Sequence, residues 1–189
     1  MTVFQNIQAG MIPARLTVNE VYELTEAGVF AENERMELIE GEIVPMAAAK
    51  ANWHIMMEGR LNRGLVLALP DWARLYPAPS LTLAPSTLVE PDLLVMLKGV
   101  MMRDMRGPDV LLAIEVADSS LSYDLRFKAP LYARHGVREY WVVDAVRQTI
   151  RAHRTPAGDR YADVTEYEAH DRVSALLLPD VAIRLDELD

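Results

Sequence analysis

The sequence predicts a mixed α/β domain built on one central sheet, and three observations carry that expectation. Helical spacing and short extended runs alternate in the order helix, hairpin, helix, three strands, helix, strands. The run at residues 110–116 is almost continuously apolar, as a strand buried on both faces must be. The chain has 189 residues, 51% of them hydrophobic and 25% charged, enough for one core of ordinary size. Zero cysteines exclude a disulfide scaffold, a thiolate zinc site and a cysteine nucleophile together.

Residues 1–16 show no period and are expected to form an arm, with the domain spanning 17–189. Thr17-Val18-Asn19-Glu20 reads as a capping box, in which hydroxyl and carboxylate each satisfy an orphan amide. Val21, Leu24 and Thr25 give that helix a short face, and Gly28 suits its stop. Residues 34–46 hold two extended runs around Glu40-Gly41, a hairpin signal. Between 49 and 69, Trp53, Met56, Met57, Leu61, Leu65 and Leu69 can share one helical stripe, which Pro70-Asp71 ends. Residues 75–83 look extended, but Pro77 and Pro79 confine them to an edge or irregular strand. Residues 88–97 and 110–116 are strand candidates. Spacing over 123–135 predicts a helix with Gly136 as its stop. Pro130 lacks an amide and should loosen or kink it. Residues 139–144 and 149–153 form a strand pair, and short strands follow around Val164 and Val173.

Nineteen Lys and Arg against 28 Asp and Glu leave a net charge of −9, which counts against indiscriminate binding to phosphate backbones. Only Lys50, Lys98 and Lys128 are lysines, so each merits inspection. No apolar run approaches a membrane span. The start, Met1-Thr2-Val3-Phe4-Gln5, lacks a basic region followed by an apolar one, so a cytoplasmic protein is expected.

Three carboxylates stand where an apolar chain would not place them idly. Asp92 follows Pro91 at the start of Leu93-Leu94-Val95-Met96, and Glu115 interrupts the run from Leu111 to Ala117. Glu37 sits inside Met36-Glu37-Leu38-Ile39. Burying an unpaired charge costs several kcal/mol, on the order of the penalty per ion in a dry interior. Gathered carboxylates repel, and the usual remedy is a shared proton or a hard divalent cation; oxygen-only ligands favour magnesium or manganese over zinc. The plainer alternative is that each acid lies at a strand end, solvated or paired with one of the arginines. Ser119-Ser120 has no nearby His to activate it, so turn duty is expected there. Trp141 is expected to anchor the core and Asp144 to close a strand turn. Met101, Met102 and Met105 fall in a polar-flanked loop.

Pro91-Asp92 followed by Glu115 at the end of a buried strand resembles the signature of the PD-(D/E)XK nuclease superfamily. The closer resemblance is to the Uma2 family, a domain of unknown function grouped with restriction endonucleases, over roughly residues 17–185. It is carried by Met36-Glu37-Leu38-Ile39-Glu40-Gly41-Glu42, His54, Glu90-Pro91-Asp92 and Ile114-Glu115-Val116-Ala117-Asp118-Ser119-Ser120. Tyr123-Asp124, Lys128, Leu131-Tyr132-Ala133-Arg134, Gly136-Val137 and Glu139-Tyr140-Trp141-Val142-Val143-Asp144 continue it. The superfamily lysine expected two residues after the acid is replaced by Ala117; in the Uma2 family it moves to the following helix, where Lys128 stands. Helical spacing puts Asp124, Lys128 and Tyr132 on one face. Read without the resemblance, Asp124 and Lys128 make an exposed ion pair worth only about 0.3–0.5 kcal/mol.

The resemblance implies a restriction-endonuclease-like fold, a central mixed sheet flanked by helices. It further implies an endonuclease dependent on Mg2+ (or Mn2+) that hydrolyses DNA phosphodiester bonds. Asp92 and Glu115 would hold the metal, Lys128 would orient water and offset developing charge, and Glu37 would orient the metal or a second ion. His54, Asp124 and Tyr132 would neighbour the site. A homodimer is expected, since cutting both strands needs two sites and superfamily members commonly pair by a two-fold axis. Two rivals stand beside this reading. One is a catalytically weak or inactive nuclease-fold protein with a binding or regulatory role, favoured by the acidic balance and by Ala117. The other is a metal-dependent hydrolase of RNA or of a small phosphodiester.

Overall fold

The computed structural model describes residues 3–11, 15–30, 35–46 and 51–189. Glu34, Ala49 and Lys50, at the ends of predicted elements or among the scarce lysines, lie outside the described residues. The helices are α1 (Val3–Gln8), α2 (Val18–Glu26), α3 (Asn52–Ala68), α4 (Leu121–Tyr123) and α5 (Ala129–Arg134); a π-turn, Asp124–Lys128, joins the last two. The strands are β1 (Met36–Ile39), β2 (Glu42–Pro45), β3 (Ala73–Pro77), β4 (Leu81–Ala84), β5 (Thr87–Val89) and β6 (Leu93–Leu97). They continue as β7 (Leu112–Ala117), β8 (Glu139–Asp144), β9 (Thr149–Pro156), β10 (Tyr161–Tyr167), β11 (Val173–Ala175) and β12 (Leu178–Ile183). These fall into two compact units, residues 1–50 with 80–90 and residues 51–79 with 91–189.

The first unit carries the sheet β2-β1-β5-β4, antiparallel throughout. Glu40 and Gly41 both take positive φ (51° and 86°), the backbone that a two-residue hairpin between twisted strands needs. The capping box forms as the sequence predicts: Thr17 Oγ1 accepts the Glu20 amide, and Glu20 accepts the Thr17 amide at 2.7 Å. Leu16, Val18, Val21, Phe30, Leu38, Ile43 and Leu88 make this unit's core. The stretch read as an arm holds the short helix α1.

The second unit is a six-stranded mixed sheet, β10-β9-β8-β7-β6-β3, parallel only between β7 and β8. Two parallel neighbours need a crossover, and α4, the π-turn and α5 supply it. All six residues of β7 are buried, as a nearly continuous apolar run requires. The strand with Pro77 sits at the sheet edge. Met57, Leu61 and Leu65 of α3 join Leu93, Val95, Ile114 and Trp141 in one core, to which the β11–β12 hairpin adds Val173, Leu178 and Ile183.

The sequence reading differs from the structure at definite points. The buried stripe of α3 is narrower than predicted, because Trp53 and Met56 are 57% and 50% exposed. The runs 75–83 and 88–97 each break in two, at Ala78 with φ 44° and at Glu90-Pro91-Asp92, where proline has no amide for the ladder. Met105 is fully buried although its neighbours look like an open loop. Just beyond it, Gly107 lies so close to the end of α5 that a Cβ would stand 1.9 Å from the His135 carbonyl oxygen.

His153 on β9 is buried between Tyr140 and Tyr161, with ring centroids 5.7 and 5.6 Å away, and its Nε2 has no hydrogen-bond partner. Burial, and secondarily Arg151, lowers its pKa to about 4. Between pH 6.5 and about 4 the unfolded chain therefore binds a proton that the folded chain refuses, so stability falls as pH drops through that window. The expected loss is on the order of 3 kcal/mol. Denaturant unfolding at pH 7 and pH 4.5 measures it, and His153→Phe should flatten that part of the profile. An unchanged slope in the variant would assign the acid sensitivity to other groups.

Candidate metal centre

The antiparallel ladder of β6 and β7 pairs Leu93 with Ile114, Leu94 with Ala113 and Val95 with Leu112. One step further along that register, Asp92 falls opposite Glu115. The two acids are 5% and 4% exposed. Asp92 Oδ2 accepts the Val116 amide at 2.8 Å, so β7 itself fixes the carboxylate. Its backbone carbonyl accepts the Ala78 amide at 2.9 Å.

Glu115 is met from the crossover. Its Oε1 accepts Lys128 Nζ at 2.7 Å and the Tyr132 hydroxyl at 3.3 Å. Asp124, Lys128 and Tyr132, predicted to share a face, are all buried, at 3%, 4% and 0% exposure. Lys128 is thus no surface cation. The local backbone follows from Pro130, which has no amide to donate and whose ring crowds the preceding turn. Ahead of it the helix widens into the π-turn, closed by the Ala129 amide on the Asp124 carbonyl. Asp124 accepts the Ser120 hydroxyl at 2.6 Å, so this serine serves the turn, as predicted. The Tyr140 hydroxyl reaches the Asp124 carbonyl at 3.5 Å, and its ring packs 4.7 Å from that of Tyr132. Burial first, then the charges of Glu115 and Asp124, push the Tyr140 phenol well above its ordinary pKa and keep it a donor.

From α3 comes a pair that completes the centre. His54 Nε2 lies 3.1 Å from Asp92 Oδ1 and 3.3 Å from Glu58 Oε2. One ligand atom from each of His54, Glu58 and Asp92 lies within 4.8 Å of the others. Sequence reasoning singled out His54 and missed Glu58. The available signal was spacing: a His and a Glu four apart, the Glu directly after Met57 on the stripe that continues to Leu61 and Leu65. An imidazole between two carboxylates, with Glu115 on the neighbouring strand, fits a divalent cation. The nitrogen makes the set mixed, so the oxygen-only argument for magnesium weakens and softer ions such as manganese gain.

Glu37 lies in the first unit, 2% exposed, with its Oε1 accepting the Glu90 amide at 2.9 Å. Asp144 Oδ1 accepts the amides of Val146 and Arg147, which makes it the turn-closing residue expected. Trp141 is fully buried.

Against known proteins, residues 18–186 match the model of the Uma2 family, described as "Putative restriction endonuclease". Among solved structures, the chain is similar to a putative nuclease belonging to DUF820 from Anabaena variabilis. The TM-score is 0.71 with 15% identity, over 91% of this chain and 96% of that one. At such identity the likeness speaks for the fold, a nuclease fold with a mixed α/β sheet. No curated protein matches. With the family model covering most of its length, the chain belongs to the Uma2 family.

Proposed function

We propose that this chain is a metal-dependent endonuclease that hydrolyses DNA phosphodiester bonds. The observation carrying the reading is the buried Lys128–Glu115 pair next to the His54, Glu58 and Asp92 cluster. Lys128 delivers from the crossover the positive charge that Ala117 cannot supply from the strand. Asp92 and Glu115, with His54 and Glu58, hold the cation, Mn2+ or Mg2+. When bound, that ion would polarise the scissile phosphate and lower the pKa of a nearby water. Lys128 offsets the charge that develops on the phosphate oxygens, and Tyr132 holds Glu115 in register for it. The Val116 amide keeps Asp92 from turning away. Glu37, to which the family resemblance gives the orienting of an ion, accepts the Glu90 amide within the first unit.

Manganese titration tests the centre. Wild type should bind one ion tightly, while Asp92→Ala and His54→Ala lose that site. Equal binding by all three proteins removes both residues from it. Nicking of plasmid DNA in manganese tests the activity. Tight metal binding without cleavage of DNA, RNA or a small phosphodiester would favour the rival role of a binding or regulatory protein.

The proposal includes a homodimer. Trp53, Ile55, Met56, Val66 and Leu67 place exposed apolar side chains on the outer side of α3, Leu67 by 75%, around the exposed Arg63. Exposed apolar residues grouped around a cation on one helix side suit a contact between copies of the chain. Light scattering at tens of micromolar should give twice the chain mass; a monomer mass overturns this part. No helix among the described residues is long and apolar enough to cross a membrane.

A further inference from the structure

Resting on the nuclease reading, we propose that Tyr123 and Phe127 form a stacking platform for an unpaired nucleobase beside the scissile phosphate, so that the site acts on single-stranded or locally opened DNA. The two rings lie nearly parallel, with centroids 5.0 Å apart and planes 16° from each other. They are 36% and 45% exposed, so the stack presents aromatic surface to solvent. An intrahelical aromatic pair alone adds only a small increment to helix stability and does not account for leaving part of both rings exposed.

Position gives the stack its occupant. Tyr123 and Phe127 each directly precede a buried residue of the centre, Asp124 and Lys128. The aromatic stripe therefore borders the stripe that reaches Glu115. Charge points the same way. Across residues 119–138 the exposed charges are Arg126, Arg134 and Arg138, whereas Asp124, the acid there, is buried. Arg138 already donates to the Pro108 carbonyl at 3.0 Å, so on a chain of net charge −9 the cation this stretch offers to a phosphate is Arg126, between the two rings in the sequence. Flat rings next to cations are what an unpaired nucleotide uses: the base stacks and the phosphate pairs. Within a duplex the faces of a base are covered by its neighbours, so the platform can engage only bases that have left the stack.

The test uses the full chain and two probes, a single-stranded oligonucleotide of about twelve nucleotides and a blunt duplex of the same sequence. Fluorescence anisotropy without divalent ions should give clearly tighter binding of the single strand. Tyr123→Ala and Phe127→Ala should each weaken it roughly 5- to 150-fold, while Tyr123→Phe and Phe127→Tyr retain it. Arg126→Gln should flatten the plot of log Kd against log salt by about 0.7, and the ring variants should shift its height without changing its slope. Matching thermal midpoints confirm that the exposed positions tolerate the changes. Duplex bound as tightly as single strand, or alanine variants bound like wild type, overturns the platform. Wild-type cleavage of single-stranded DNA in manganese is read separately. No cleavage with the binding pattern intact defeats the nuclease reading and leaves a single-strand binding surface; cleavage with no ring effect on binding or rate defeats the platform alone.

Discussion

Lys128→Ala is expected to abolish cleavage and to cost the fold about 3–5 kcal/mol, because it strands the Glu115 carboxylate in a buried site without its ammonium partner. The rate should fall on the order of 10² to 10³ from the lost charge alone. Stability and rate must then be separated. Glu115→Gln combined with Lys128→Met removes both charges, and such a replacement of a buried pair is often neutral or stabilising. The double variant should recover most of the stability and none of the activity. Lys128→Arg should rescue poorly, since a planar fork replaces a compact charge. Cleavage by Lys128→Ala at the wild-type rate would reduce the lysine to a structural counter-ion.

The largest effect away from the centre is expected at Glu139, which is fully buried on β8. Its Oε1 accepts Trp141 Nε1 at 2.8 Å and Arg154 Nε at 2.7 Å, and its Oε2 accepts the Leu176 amide. Arg154 goes on to the Ser174 carbonyl at 2.7 Å and the Tyr167 hydroxyl at 3.2 Å. One carboxylate thus ties the turn of the β11–β12 hairpin to the sheet. Glu139→Ala leaves an arginine, an indole and an amide short of their acceptor, a loss of about 3–5 kcal/mol. Denaturant midpoints check it. A shift below about 1 kcal/mol would mean that water replaces the carboxylate at every donor.

Much of the centre is legible in the sequence because charge is conspicuous in apolar runs. Asp92 and Glu115 can be found that way, and the capping box at Thr17 and the hairpin at Glu40-Gly41 are local enough to read directly. Lys128 is different. Spacing alone suggests a surface pair with Asp124, and only the family resemblance points it inward; its burial depends on how the crossover lies on the sheet. Glu58 stayed hidden because a glutamate on a helix is ordinary until its neighbours on the inner stripe are known. Trp53 and Met56 misled for the converse reason, since apolar residues on a helix read as core whichever way they face. The sequence marks no division into two units, because Pro79-Ser80 and Glu90-Pro91, two of the three places where the chain passes between them, look like ordinary interruptions within strands.

The π-turn ahead of Pro130 has a bearing on which changes this segment tolerates. Side chains at 125 to 127 can vary in type without altering how the turn closes. Its length cannot vary so freely. Deleting one residue between Asp124 and Lys128 would let the turn close as ordinary α-helix, changing the phase and height of everything before it relative to α5. Lys128 and Tyr132 would keep phase with each other, while Asp124 would leave the Tyr140 hydroxyl. Insertions and deletions, more than substitutions, should therefore be what this stretch of the chain refuses.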